Sequence, residues 1–139
     1  VYTGLKRTAH HIAKSYVNKL QTSKKSHILE ISNFVTEGEK IIQNGTIDEF
    51  GKLLHESWLE KKSLSSAITN SSIDYIYNKA LKKGALGGKL LGAGGGGFLI
   101  FYVPHYKQKN FIEYFRNLIT VPFKFTSEGS RIMFKKFNK

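Results

Sequence analysis

The stretch "GGKLLGAGGGGFLIFYVP", residues 87–104, decides how this chain reads. Seven of the eleven positions from Gly87 to Gly97 are glycine, and the apolar run that follows ends at Pro104. Within regular structure each glycine costs about 0.5–1 kcal/mol relative to alanine. Four in succession, Gly94 to Gly97, therefore require backbone angles closed to other residues, or a close approach by another group. The segment Gly92-Ala93-Gly94-Gly95-Gly96-Gly97 formally satisfies G-x-G-x-x-G. A dinucleotide fingerprint, however, must leave a strand and open a helix. Here Phe98 to Val103 follows, a run of β-formers, so that reading fails on context. A P-loop fails too, because no Gly-Lys-Ser/Thr closes the motif. Two readings remain. The glycines form a wide strand–strand connection with positive-φ positions against which another element presses. Alternatively, their amides form an anion-binding nest, with Lys89 or a neighbouring lysine adding charge and a phosphate as guest.

The flanking segments place this loop in an α+β domain. Leu86–Leu91 and Phe98–Val103 read as the two strands around it. Upstream, Ala9, Ile12, Ala13, Tyr16, Val17 and Leu20 carry the spacing of an amphipathic helix. A second helix spans Ser26–Asn44 and stops at Gly45. Thr46-Ile47-Asp48-Glu49 is a capping box that opens a third helix carrying Trp58 and Leu64. Ser71-Ser72-Ile73-Asp74 caps a fourth, whose apolar stripe is Ile73, Ile76, Tyr77, Ala80 and Leu81 and which ends at Gly84. Downstream, Phe111, Ile112, Phe115, Leu118 and Ile119 mark a helix. Val121–Thr126 and Arg131–Phe137 read as strands joined by a turn at Ser127–Ser130. The expected fold is α+β: four helices followed by a β-loop-β-α-β-β small antiparallel sheet, with the helices on one face.

Composition narrows the function classes. The 139 residues suffice for one domain, and 40% are hydrophobic. There is no cysteine, which excludes disulfides and thiolate metal sites and fits a reducing, cytoplasmic compartment. No apolar run approaches a membrane span. The net charge of +12 is uneven: residues 79–139 carry twelve Lys/Arg against two acids, Glu113 and Glu128. Such a surface favours phosphates, whether on nucleic acid or on a small metabolite. A basic nucleic-acid-binding module is thus the rival reading, although 19 Lys against three Arg argues against base readout. A purely structural or dimerising domain is a third.

Other constellations carry less. His55-Glu56 begins like H-E-x-x-H, but Leu59 stands where the second histidine belongs. His10 and His11 are adjacent on a helix and cannot share a face. Neither a covalent nucleophile nor a metal cluster emerges. Trp58, Lys61 and Lys62 lie within about a turn and a half of one helix. They read either as a half-buried indole beside solvated lysines or as part of a phosphate-recognising wall.

Together these residues resemble the GHMP kinases (galactokinase, homoserine, mevalonate and phosphomevalonate kinases), whose C-terminal domain carries a similar glycine-rich strand–loop–strand. More narrowly, "DEFGKLLHESWLEKKSLSSAITNSSIDYIYNKALKKGALGGKLLGAGGGGF" and "PFKFTSEGSRIMF" resemble the D-glycero-D-manno-heptose 7-phosphate kinase branch, and fucokinase-like relatives share the loop. The resemblance implies a cytoplasmic sugar kinase using ATP and Mg2+ in nucleotide-activated heptose biosynthesis. It places Gly92, Ala93, Gly94, Gly95, Gly96 and Gly97 beside the reacting phosphoryl group. Lys89, Lys61, Lys62 and Arg131 become candidates for the substrate phosphate. The family's nucleotide-wrapping loop and catalytic carboxylate belong to an N-terminal domain, and neither has a counterpart here; "SLSSAIT" lacks the necessary proline and glycines. The chain, which starts at Val1, is therefore expected to be the C-terminal domain over 1–139, to be inactive alone, and to have its own N-terminal domain as partner. The resemblance also admits a homodimer.

Overall fold

The computed structural model describes residues 1–6, 9–124 and 128–130. It is α+β, as expected: helices packed against an antiparallel strand pair. The first helix is shorter than its stripe suggests. α1 covers Ala9–Lys14 and gives way to a 3-10 turn at Val17–Lys19. α2 runs Lys25–Asn44 and α3 runs Ile47–Leu64, joined by Gly45-Thr46 alone. So short a connection folds the two back on each other. Gly38 faces Leu53 at the turn end, while His27 meets Glu60 at 2.7 Å towards the open end. The capping box at Thr46 is present. Thr46 N donates to Glu49 Oε2 (2.6 Å), and Glu49 N donates to Thr46 Oγ1 (3.4 Å).

α4 is Ser71–Lys82, and its cap sits one residue before the expected box: Ile73 N donates to Asn70 Oδ1 at 3.1 Å. An asparagine in extended conformation presents the same acceptor as a serine. α4 buries Ile73, Ile76, Tyr77 and Ala80 against Trp58, Leu90 and Phe111. β1 (Gly87–Leu90) and β2 (Leu99–Tyr102) pair antiparallel in the register Gly87↔Tyr102 to Leu90↔Leu99, leaving the glycine loop as their connection.

Two features depart from the sequence reading. The helix expected around Phe111 begins earlier, at His105, so that α5 is His105–Tyr114. Pro104 at its N-cap cannot continue a strand and so turns the chain directly into the helix. The first expected hairpin strand also fails where it is described: residues 121–124 are in no strand. The remainder of that hairpin, including Arg131–Phe137, lies outside the described residues. The edge of β2 is instead paired by the beginning of the chain. Leu99 N donates to Val1 O and Thr3 N to Gly97 O, both at 2.8 Å. Among the described residues no helix is long and apolar enough to cross a membrane.

α3 lies directly on β1, and glycines on both elements allow it. A Cβ on Gly87 would clash with the Gly51 carbonyl oxygen, and one on Gly51 would meet the Tyr102 ring. This contact brings the side chains of α3 to the glycine loop.

Candidate phosphate-binding site

The loop is held from two sides. Gly95 N donates to Ile68 O (2.7 Å) and Gly97 N to Leu5 O (3.0 Å). Asn70 Nδ2 reaches Gly95 O at 3.4 Å. Gly92, Gly94, Gly95 and Gly97 all have positive φ, between 75° and 127°. The backbone thus takes a path that L side chains resist. The structural reading of the loop holds. The loop is a positive-φ connection with other elements pressed on it, because Gly94 and Gly96 leave no room for a Cβ beside Ile68 and Leu5. It also retains donors: among the described residues the amides of Gly92, Ala93, Gly94 and Gly96 have no hydrogen-bond partner. The amides of Gly95 and Gly97, by contrast, are spent on the fold.

Lys61 reaches this loop, and Lys89 is held by Ser57, one turn away on α3. Lys61 Nζ donates to the Gly92 carbonyl. Lys89 Nζ donates to Ser57 Oγ at 3.0 Å, and Ser57 is 8% exposed. Ser57 and Lys61 are one turn apart on α3 and so share a face. Burial pulls the Lys61 ammonium below the usual lysine range, and the neighbouring Lys89 charge lowers it further. Burial lowers Lys89 as well. Neither has an acidic partner among the described residues. Two acids of α3 and α4 are engaged elsewhere, Glu60 with His27 and Asp74 with Lys62.

Lys62 therefore belongs to a different group. Its ammonium is 3.4 Å from Asp74 Oδ1 and 5.7 Å from the Trp58 ring centroid. Arg131 lies outside the described residues. Ser57 and Asn70 escaped the sequence reading. The available signal for Ser57 was a small polar residue one turn before Lys61 on a face otherwise used for packing.

Beneath the loop a polar chain fixes β1. Tyr77 Oη donates to Gly88 O (3.0 Å) and lies 2.8 Å from His55 Nδ1. The single phenolic proton is committed to the carbonyl, so His55 must donate through Nδ1. Burial pushes the Tyr77 phenol far above its usual range, which keeps that donor in place.

The donors here, ammonium groups and backbone amides, are those that suit an anion. The apolar hollow of about 540 Å³ between β2, α5 and residues 120–123 has no charged side chain in its lining and does not suit a phosphate.

Because Asn70 both caps α4 and touches the loop, Asn70→Ala is expected to cost about 1 kcal/mol. Asn70→Asp should recover the cap but not the bond to Gly95. Urea unfolding of both variants measures the two contributions.

Residues 39–119 match the family described as GHMP kinases C terminal. The chain belongs to that family. As a GHMP kinase C-terminal region it is 30% identical over 131 residues to the D-glycero-alpha-D-manno-heptose 7-phosphate kinase of Campylobacter jejuni, covering 92% of this chain and 39% of that protein. It is 34% identical over 101 residues to the L-fucokinase/L-fucose-1-P guanylyltransferase of Bacteroides fragilis, covering 70% of this chain and 10% of that protein. Its fold resembles that of L. major mevalonate kinase in complex with R-mevalonate, with a TM-score of 0.70 at 16% identity over 85% of this chain and 37% of the other. The GHMP kinase region thus spans well under half the length of these relatives.

Proposed function

We propose that this chain supplies one wall of the active site of an ATP-dependent sugar kinase, with the glycine loop facing the transferred phosphoryl group. The observation that carries this reading is the pair Lys61, bonded to the loop at Gly92, and Lys89, bonded to Ser57 one turn away on α3, beside a loop with unbonded amides and with no neutralising carboxylate among the described residues. Phosphoryl transfer depends mainly on positioning and charge stabilisation. Half-buried ammoniums and fixed backbone donors supply both without covalent chemistry. By similarity to the Campylobacter enzyme, the acceptor is a heptose 7-phosphate. ATP and Mg2+ would be held chiefly by a further domain, which would also contribute the catalytic carboxylate. In this chain, Lys61, Lys89 and residues 92–97 orient phosphate and stabilise its charge. Lys62 braces α3 against α4.

Assayed with MgATP and D-glycero-D-manno-heptose 7-phosphate, the 139-residue chain alone is expected to show no turnover. The full coding frame in which it lies should phosphorylate that sugar. Turnover by the chain alone would overturn the division of labour. No turnover by the full frame with any sugar or sugar phosphate would overturn the kinase reading.

A further inference from the structure

Two ammonium groups share the space between α3, β1 and the glycine loop, and no carboxylate among the described residues neutralises either one. Bringing like charges together in a half-buried place is unfavourable unless a guest of opposite charge completes the site. A singly charged guest, such as a carboxylate or a phosphate diester, leaves one ammonium uncompensated. A phosphate monoester carries a charge near −2 at neutral pH, because its second pKa is about 6.

We infer that Lys61 and Lys89 form a site selective for a dianionic phosphate monoester, with Ser57 as the positioning residue that aims Lys89. Ser57 Oγ is buried on α3, and its lone pair receives the Lys89 ammonium at 3.0 Å. Lysine has four rotatable side-chain bonds, so without that acceptor its charge would spread over many positions. Lys61 is held in turn by the Gly92 carbonyl, at the start of the loop. A carbonyl neutralises no charge, so Lys61 keeps its full attraction for an anion while its head stays at the loop.

This inference rests on reading the loop as a phosphate-facing surface. It adds charge selectivity and a role for Ser57. Two guests share the required chemistry, a sugar bearing its own phosphate and the terminal phosphate of a nucleotide.

The test is a low-salt titration of the chain with methyl phosphate, dimethyl phosphate and acetate, followed by amide NMR and calorimetry. Methyl phosphate is expected to bind about tenfold or more tighter than the other two, the ordinary worth of one charge-assisted hydrogen bond. Its shifts should centre on Ser57, Lys61, Lys89 and Gly92. Lys61→Gln and Lys89→Gln should each bring the monoester-to-diester ratio near one. Ser57→Ala should weaken monoester binding several-fold, and Ser57→Thr should restore it, which mere packing of a small side chain would not require. Equal binding of monoester and diester by the unaltered chain, or shifts centred elsewhere, overturns the inference even if no variant folds. Mannose 6-phosphate and ADP serve as further probes; preference for the first assigns the site to the acceptor, and for the second to the nucleotide. A full-length protein without kinase activity whose chain still prefers the monoester would sink the kinase reading alone.

Discussion

Gly87→Ala is expected to destabilise the fold by about 3 kcal/mol or more, at or beyond the upper end for overpacking. Gly87 does not have a positive φ, so the loss would be steric rather than conformational. The added Cβ would overlap the Gly51 carbonyl oxygen and approach His55 N to 2.8 Å. Both are backbone atoms of α3, so no rotamer change can relieve the overlap. α3 would have to lift away from β1, separating Ser57 and Lys61 from Lys89 and the loop. Chemical denaturation measures the first effect and phosphate titration the second. Gly129→Ala is the comparison, since among the described residues nothing lies within 4 Å of its Cβ position and its φ is not positive. A loss below about 1 kcal/mol at Gly87 would mean that α3 and β1 do not press on each other as described.

Gly94→Ala should be nearly as damaging, for a mixed reason. Its φ is +127°, and an added Cβ would stand 2.8 Å from Ile68 Cα and 2.9 Å from Ile68 O. Strain at such a position costs about 1–3 kcal/mol, and crowding adds a similar amount. The expected total is about 3 kcal/mol, together with loss of the Gly95–Ile68 hydrogen bond and weaker phosphate binding. Gly92→Ala separates the two causes, because Gly92 has φ +82° but open space around its Cβ position. It should show the conformational part alone. Equal losses at Gly92 and Gly94 would rule out the contact with Ile68 as a determinant of loop shape.

Several parts of the fold were legible because their causes are local. The capping box at Thr46 needs only residues 46–49, and the strand after the glycines declares itself by β-formers closed by proline. The apolar stripe of α4 needs only helical spacing. The errors arise where local signals were weak or shared. Pro104 was read as the end of a strand but serves also as the N-cap of α5. The stripe from Ala9 to Leu20 continues past the point where α1 ends at Lys14. At Val121–Lys124, alternating apolar residues suggested a strand, yet the edge of β2 that might have paired it is taken by Val1 and Thr3.

The site divides in the same way. From its glycines and the strand that follows, the sequence determined that the loop joins two strands and that it carries unusual backbone angles. It could not separate Lys61 from Lys62, which are adjacent and chemically identical. Only the tertiary structure decided that Lys61 turns to the loop while Lys62 turns to Asp74. It alone brought buried Ser57 to Lys89 across the contact between α3 and β1. The physical reason is that backbone freedom and helical periodicity are properties of neighbouring residues. The partner of a long charged side chain is set by which elements approach it, and here two facing glycines decide that approach.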